Sequence, residues 1–153
     1  MKISFDLDGV ITDGHHWFFE LLHPLRITYP VEAEQAELSY YSSRLIKFHP
    51  NLFLVEGIDE GIIITARKPV ARQVTEQWLR RYGILLPVFF IDPYDTLDWF
   101  CYAKASKESA ALKARVIERQ GVEIHFDNNP ILVKTLRNIL PGVKIILVGG
   151  ENG

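Results

Sequence analysis

The sequence is 153 residues long and contains a single cysteine, Cys101. One thiol makes neither an internal disulfide nor a cysteine-rich zinc site, and a reducing, cytoplasmic setting is the simplest expectation. Long apolar runs are missing too. The longest, Ile84 to Ile91, falls far short of the roughly 20 residues that a membrane-spanning helix needs. Asp6 and Asp8 interrupt any leader-like apolar stretch near the start. Charge of one sign is also lacking: 17 basic against 19 acidic side chains leave a formal charge of −2. That balance excludes a protein held on nucleic acid or an anionic membrane by bulk electrostatics alone. There is no internal repeat, low-complexity tract or linker. What remains is ordinary globular usage, 48% hydrophobic and 24% charged, at a length suited to one folded unit.

The apolar segments alternate in kind. Met1–Leu7 has Ile3, Phe5 and Leu7 spaced by two, a strand that ends at Asp6-Leu7-Asp8-Gly9. Ile62-Ile63-Ile64 is a short continuous run stopping at Thr65-Ala66-Arg67, like a buried parallel strand. Val70, Val74, Trp78 and Tyr82 recur every four residues and predict a helix. Pro87–Ile91 is the next strand candidate. Helical spacing returns at Ala105, Leu112 and Val116 and stops at Gly121. Val122, Ile124 and Phe126 alternate up to Asp127-Asn128-Asn129. Pro130 then suits the first turn of an Asn-capped helix, and Val143–Val148 closes the series as a strand. Strands alternating with helices predict an α/β fold, a three-layer Rossmann-like parallel sheet. The stretch 12–59 breaks the rhythm. It shows no clear crossover helix, but has an aromatic patch (Trp17, Phe18, Phe19), Pro24, Pro30 and a predicted helix over about Val31–Phe48. We therefore expect a core of residues 1–11 and 60–153, with 12–59 as a short cap inserted between the first two strands.

In such a sheet, ligands bind beyond the carboxyl ends of the strands. Those ends carry Asp6 and Asp8, then Thr65, then Asp127 and Asn128, with Lys107 on the helix leading into the fourth strand. Carboxylates gathered on one edge repel unless a cation joins them, and hard oxygen donors favour Mg²⁺. Acidic groups, a hydroxyl and an ammonium together suit a phosphoryl group and a magnesium ion.

Phe5-Asp6-Leu7-Asp8-Gly9-Val10 resembles the first signature of the haloacid dehalogenase superfamily, most of whose members are aspartate-nucleophile phosphatases. Ile62–Thr65 resembles the second signature, Lys107 the third and His125-Phe126-Asp127-Asn128 the fourth, in the family's order from Met1 to about Val148. The resemblance implies that Asp6 attacks phosphorus and that Asp8 is the general acid and base. Asp8, two residues on, is expected on the same side of the extended chain as Asp6. Thr65, with backbone N–H groups around Ala66, would hold phosphoryl oxygens, and Lys107 would balance charge. Mg²⁺ would be held by Asp6, the Asp8 carbonyl and Asp127, with Asn128 standing where many relatives have a second acidic residue. An amide can ligate through oxygen but adds no charge.

Each residue has a plainer use. Asp8-Gly9 is turn chemistry, although that leaves a carboxylate inside the apolar run at Asp6 unexplained. Thr65 alone would be a β-branched strand residue. Lys107 competes with Lys104 and Lys113, and is preferred for its distance from Asp127. Asn129 is foremost a helix cap. Arg67 trails Thr65 and either clamps a second substrate anion or is solvated; His15 either touches substrate or lies at the surface. Cys101, between Phe100 and Tyr102, reads as a buried small hydrophobe.

The resemblance narrows further, to the deoxyribonucleotidase-like branch, through Thr65-Ala66-Arg67 and His125–Pro130. The cap aromatics Trp17, Phe18, Phe19, Tyr29, Tyr40 and Tyr41 either stack on a nucleobase or form the cap's own core. The implied partner is a small phosphorylated substrate such as a nucleoside monophosphate. Two other readings stay open. One is a polynucleotide 3′-phosphatase using Arg67, Lys68, Arg72, Arg80 and Arg81. The other is a non-catalytic phosphate- or partner-binding module. Oligomeric state is not legible in the sequence.

Overall fold

A computed structural model describes residues 1–13, 22, 24, 25, 28–43, 46, 47, 55, 57, 58, 60–92 and 102–149. The expected aromatic trio Trp17, Phe18 and Phe19, together with His15 and Cys101, lies outside the described residues. Five strands form one parallel sheet: β1 (Ile3–Phe5), β2 (Gly61–Thr65), β3 (Val88–Phe90), β4 (Ile124–Asp127) and β5 (Lys144–Leu147). Their order across the sheet is β3-β2-β1-β4-β5, so β1 is central. The connections carry α1 (Pro30–Ser42), α2 (Arg72–Arg81), α3 (Tyr102–Gln120) and α4 (Pro130–Ile139). The fold is an α/β, Rossmann-like sheet, as the alternation of segments predicts. Among the described residues no helix is long and apolar enough to cross a membrane.

Period-2 alternation in the strands divides the core between two faces. On one side Phe5, Leu7 and Ile63 pack with Tyr40 and Tyr41 of α1 and Trp78 and Leu79 of α2. On the other, Ile62, Ile64 and Ile145 pack with Ala110, Ala114 and Ile117 of α3 and Leu132 and Leu136 of α4. All of β2 is buried, which explains why its sequence reads as a continuous apolar run rather than an alternating one.

α1 corrects one expectation. It lies between β1 and β2 in the chain, packs beside α2, and belongs to the layer covering the sheet. The stretch 12–59 therefore does supply a crossover helix. It is the helix expected over about Val31–Phe48, but its crossover role is hidden because the buried positions are Ala33, Glu37, Tyr40 and Tyr41, only one of them aliphatic. Glu37 is tolerated there because the Tyr41 hydroxyl donates to it at 2.8 Å.

The start of α4 bears out the expected cap. The Asn129 side-chain oxygen accepts from the N–H groups of Ile131 and Leu132, both at 3.1 Å. Its amide nitrogen donates to Ser106 Oγ at 2.9 Å, tying α4 to α3. Asn129→Ala should lose cap and tie together and lower unfolding free energy by about 1–2 kcal/mol in a urea titration.

Candidate active site

The carboxyl end of β1 sits between the ends of β2 and β4, and most of the sequence-derived candidates meet there. Strand alternation sends Phe5 to the α1–α2 face, where its ring stacks on Phe126 at 5.3 Å. Ser4 and Asp6 project to the opposite face, as do His125 and Asp127 of β4. Ser4 and His125 are register partners, and the Asp6 N–H bonds the Phe126 carbonyl at 2.9 Å one step further on. Two in-register strands thus set a short polar stripe beneath α3.

Lys113 of α3 joins that stripe. Its Nζ donates to Asp6 Oδ1 at 3.0 Å and to Asp127 Oδ2 at 2.7 Å, with its side chain 2% exposed. This corrects the assignment of Lys107, which is exposed on the same helix. The buried stripe of α3 runs through Ser106, Ser109, Ala110, Lys113, Ala114 and Ile117. Leu112 and Val116, which suggested the helix's inner face in the sequence, are only half-buried. Reading the stripe one position out of phase moves Lys113 off it. Lys113 is the lysine at i+3 from Ala110 and i−4 from Ile117, and that spacing is the signal that identifies it.

Asp127 is fully engaged by the protein. Besides Lys113, its Oδ2 lies 3.1 Å from His125 Nε2, and its Oδ1 accepts from the Asn129 N–H at 3.2 Å. In this arrangement Asp127 holds Lys113 in place. Burial would raise its pKa, but Lys113 and His125 prevail and hold it below the usual carboxylate range. Asp6 responds the other way: burial and the neighbouring Asp127 charge push its carboxyl up to about 7, against the pull of Lys113. Burial opposes the Lys113 charge, yet the two carboxylates keep its pKa above that of an ordinary lysine. Burial lowers the pKa of His125, favouring the neutral ring.

Asp8 departs from the expected side. The ladder of β1 ends at Phe5, and the chain turns so that the N–H groups of Val10, Ile11 and Thr12 all point at the Leu7 carbonyl. Asp8 consequently meets a different cation from Asp6. Arg67 holds it bidentately, Nη2 to Oδ1 at 2.6 Å and Nε to Oδ2 at 2.9 Å, and the Thr12 hydroxyl adds a bond at 3.2 Å. Arg67 is itself buried, 6% exposed. Its Nη1 donates to Thr75 of α2 at 3.0 Å, and its guanidinium lies 3.7 Å from the Tyr41 ring centre. Neither sequence reading of Arg67 survives: it is not solvated, and its fork is occupied by Asp8 rather than open to a second anion. Tyr41, one of the aromatics weighed as a base-stacking surface, is a buried platform for this guanidinium.

Thr65 ends β2 and is buried; its Oγ1 accepts from the Arg67 N–H at 3.1 Å. Ala66 follows, half-buried. Of the other basic residues weighed for nucleic acid, Arg72 and Arg80 share one carboxylate, Glu76, at 3.4 and 4.0 Å.

Asn128 completes the edge. The inward atom of its amide lies 3.2 Å from Asp6 Oδ2 and 3.2 Å from the Asp8 carbonyl oxygen. Turned nitrogen-inward, the amide donates to both. Turned oxygen-inward, as a bound cation would require, the amide would add a third oxygen to those of Asp6 and Asp8. Among the described residues no group of three or more His, Cys, Asp or Glu side chains is arranged to hold a metal. The donors here are of mixed kind, one carboxylate, one backbone carbonyl and one amide, and this set fits a hard cation. Gly9 makes room for it. Its φ of +87° suits glycine, and a Cβ there would collide with the Asn128 amide.

No protein-family model and no curated protein matches the chain.

Lys113→Met should strand two buried carboxylates and cost about 3–5 kcal/mol in chemical denaturation. Lys107→Met should change stability by no more than about 0.5 kcal/mol. Mg²⁺ should raise the wild-type melting temperature in a concentration-dependent way, and Asn128→Leu should abolish that rise while remaining folded.

Proposed function

We propose that the protein is a Mg²⁺-dependent phosphomonoester hydrolase of the haloacid dehalogenase type, with Asp6 as nucleophile. The observation that carries the reading is the setting of Asp6: a carboxylate at the end of the central parallel strand, with one oxygen on Lys113 and the other 3.2 Å from the Asn128 amide, which also reaches the Asp8 carbonyl. The single cysteine is consistent with a cytoplasmic enzyme.

In this reading a phosphoryl group sits above the strand ends, within reach of the Thr65 hydroxyl and the backbone around Ala66. Asp6 attacks phosphorus and the bond to the ester oxygen breaks, giving an aspartyl-phosphate and the free alcohol. Asp8 would serve proton transfer once substrate frees one of its oxygens from the Arg67 fork, to the leaving oxygen in the first step and from the attacking water in the second. Water then displaces Asp6 from phosphorus, releasing phosphate and restoring the carboxylate. Lys113 holds the Asp6 oxygen against the incoming negative charge, and Arg67 fixes the plane of the Asp8 carboxylate. Asp6 Oδ2, the Asp8 carbonyl and the Asn128 amide oxygen would hold Mg²⁺, which when bound offsets the charge of the phosphoryl oxygens. The best-supported substrate class is a small phosphate ester, a nucleoside monophosphate among them.

The deciding measurement is phosphate release from a panel of nucleotides, sugar phosphates and 3′-phosphorylated oligonucleotides, with Mg²⁺ or EDTA. Wild type should release phosphate only with Mg²⁺, and folded Asp6→Asn should lose at least about 1,000-fold of that rate. Equal turnover by the two proteins would overturn the assignment.

A further inference from the structure

One buried polar chain beneath α3 has no part in the chemistry just described. Ser4 Oγ lies 2.7 Å from His125 Nδ1, and His125 Nε2 lies 3.1 Å from Asp127 Oδ2, the same oxygen that accepts from Lys113. Ser4 and His125 are 0% exposed and Asp127 is 1% exposed, and they lie beneath α3, so the Ser-His-Asp order is not that of an exposed nucleophile. The strand register places all three on one face of the sheet, in line with Asp6.

We propose that His125 and Ser4 are positioning residues for the Lys113–Asp6 pair. The argument is one of donors and acceptors. A carboxylate only accepts, so the hydrogen on His125 must sit on Nε2. The neutral ring then accepts at Nδ1, and the one proton of Ser4 goes there. With His125 donating to it, Asp127 Oδ2 shares its negative charge between two donors, and Lys113 spans from Asp127 to Asp6. Without His125, that oxygen has Lys113 alone, and the ammonium moves toward Asp127 and away from Asp6. Asp127 fixes the tautomer, Ser4 holds the ring by donating to Nδ1, His125 sets the strength of the Asp127–Lys113 contact, and Lys113 carries the result to Asp6 Oδ1. A merely well-packed core histidine would affect stability and leave these downstream distances unchanged.

The inference rests on the phosphatase reading, and the test separates the two. Mg²⁺-dependent release of nitrophenol from p-nitrophenyl phosphate is measured for wild type, His125→Leu, His125→Gln and Ser4→Ala, with folding checked by circular dichroism. Histidine and lysine side-chain ¹⁵N spectra are recorded on the same proteins. His125→Leu should lower kcat by up to about 100-fold with KM nearly unchanged, as a small misplacement of a reacting group does. His125→Gln, which keeps a donor facing Asp127, should recover much of the loss. Unchanged kcat in a folded His125→Leu overturns the proposal. Should that variant not fold, the wild-type spectrum and Ser4→Ala decide. An Nε2–H tautomer together with reduced kcat in Ser4→Ala upholds the chain, and either an Nδ1–H tautomer or unchanged kcat overturns it. Should wild type release nothing from any phosphate ester, the phosphatase reading falls, and the positioning is read from the Lys113 ammonium resonance alone. Its displacement in Ser4→Ala upholds the linkage, and an unmoved resonance overturns it.

Discussion

One ammonium group between two buried carboxylates organises the carboxyl edge of this sheet. Asp6 and Asp127 project from adjacent central strands into the same low-dielectric layer, where each alone would be costly to ionise and both together more so. Lys113 joins them, and because it comes from α3 it also fixes the height and rotation of that helix over β1 and β4. Fold and candidate chemistry are therefore not separable here. The residue that makes the edge electrostatically tolerable also leaves Asp6 with one oxygen turned to the Asn128 amide.

The second cation obeys a different logic. Arg67 is bound on all sides, to Asp8, Thr75 and the face of Tyr41. Its planar fork suits a carboxylate bidentately in a way a lysine could not. The two acidic residues of the Asp6-Leu7-Asp8 segment are thus served by unlike partners, a compact ammonium shared between two carboxylates and a guanidinium devoted to one.

The architecture was legible in the sequence wherever burial was simple. β2 is flanked on both faces and reads as unbroken isoleucine; β1 and β4 alternate; Asn129-Pro130 announces the start of α4 with cap chemistry that depends only on local residues. Legibility failed where burial was mixed with charge. α1 buries a glutamate and two tyrosines, so no aliphatic stripe marks it as a crossover. On α3 the inward face includes two serines and a lysine, and a search for apolar periodicity settles on Leu112 and Val116 instead, which displaces Lys113 in favour of Lys107. Arg67 could not be placed from its neighbours in sequence, since its partner Asp8 is 59 positions away. The turn that redirects Asp8 is likewise invisible to strand periodicity, because alternation predicts direction only while the chain remains extended.

The two cations also arrive from opposite sides of the sheet. Lys113 belongs to the α3–α4 layer, whereas Arg67 rests on Tyr41 and Thr75 of the α1–α2 layer. The separation between the Asp6 and Asp8 carboxylates is accordingly gauged by the thickness of the whole three-layer sandwich and not by the loop that bears them. That loop closes on itself by Thr12, whose carbonyl accepts from the Gly9 N–H and whose own N–H returns to Leu7. The loop is thus closed by its own bonds, while the positions of its two carboxylates are set from outside it, by the layers on either side.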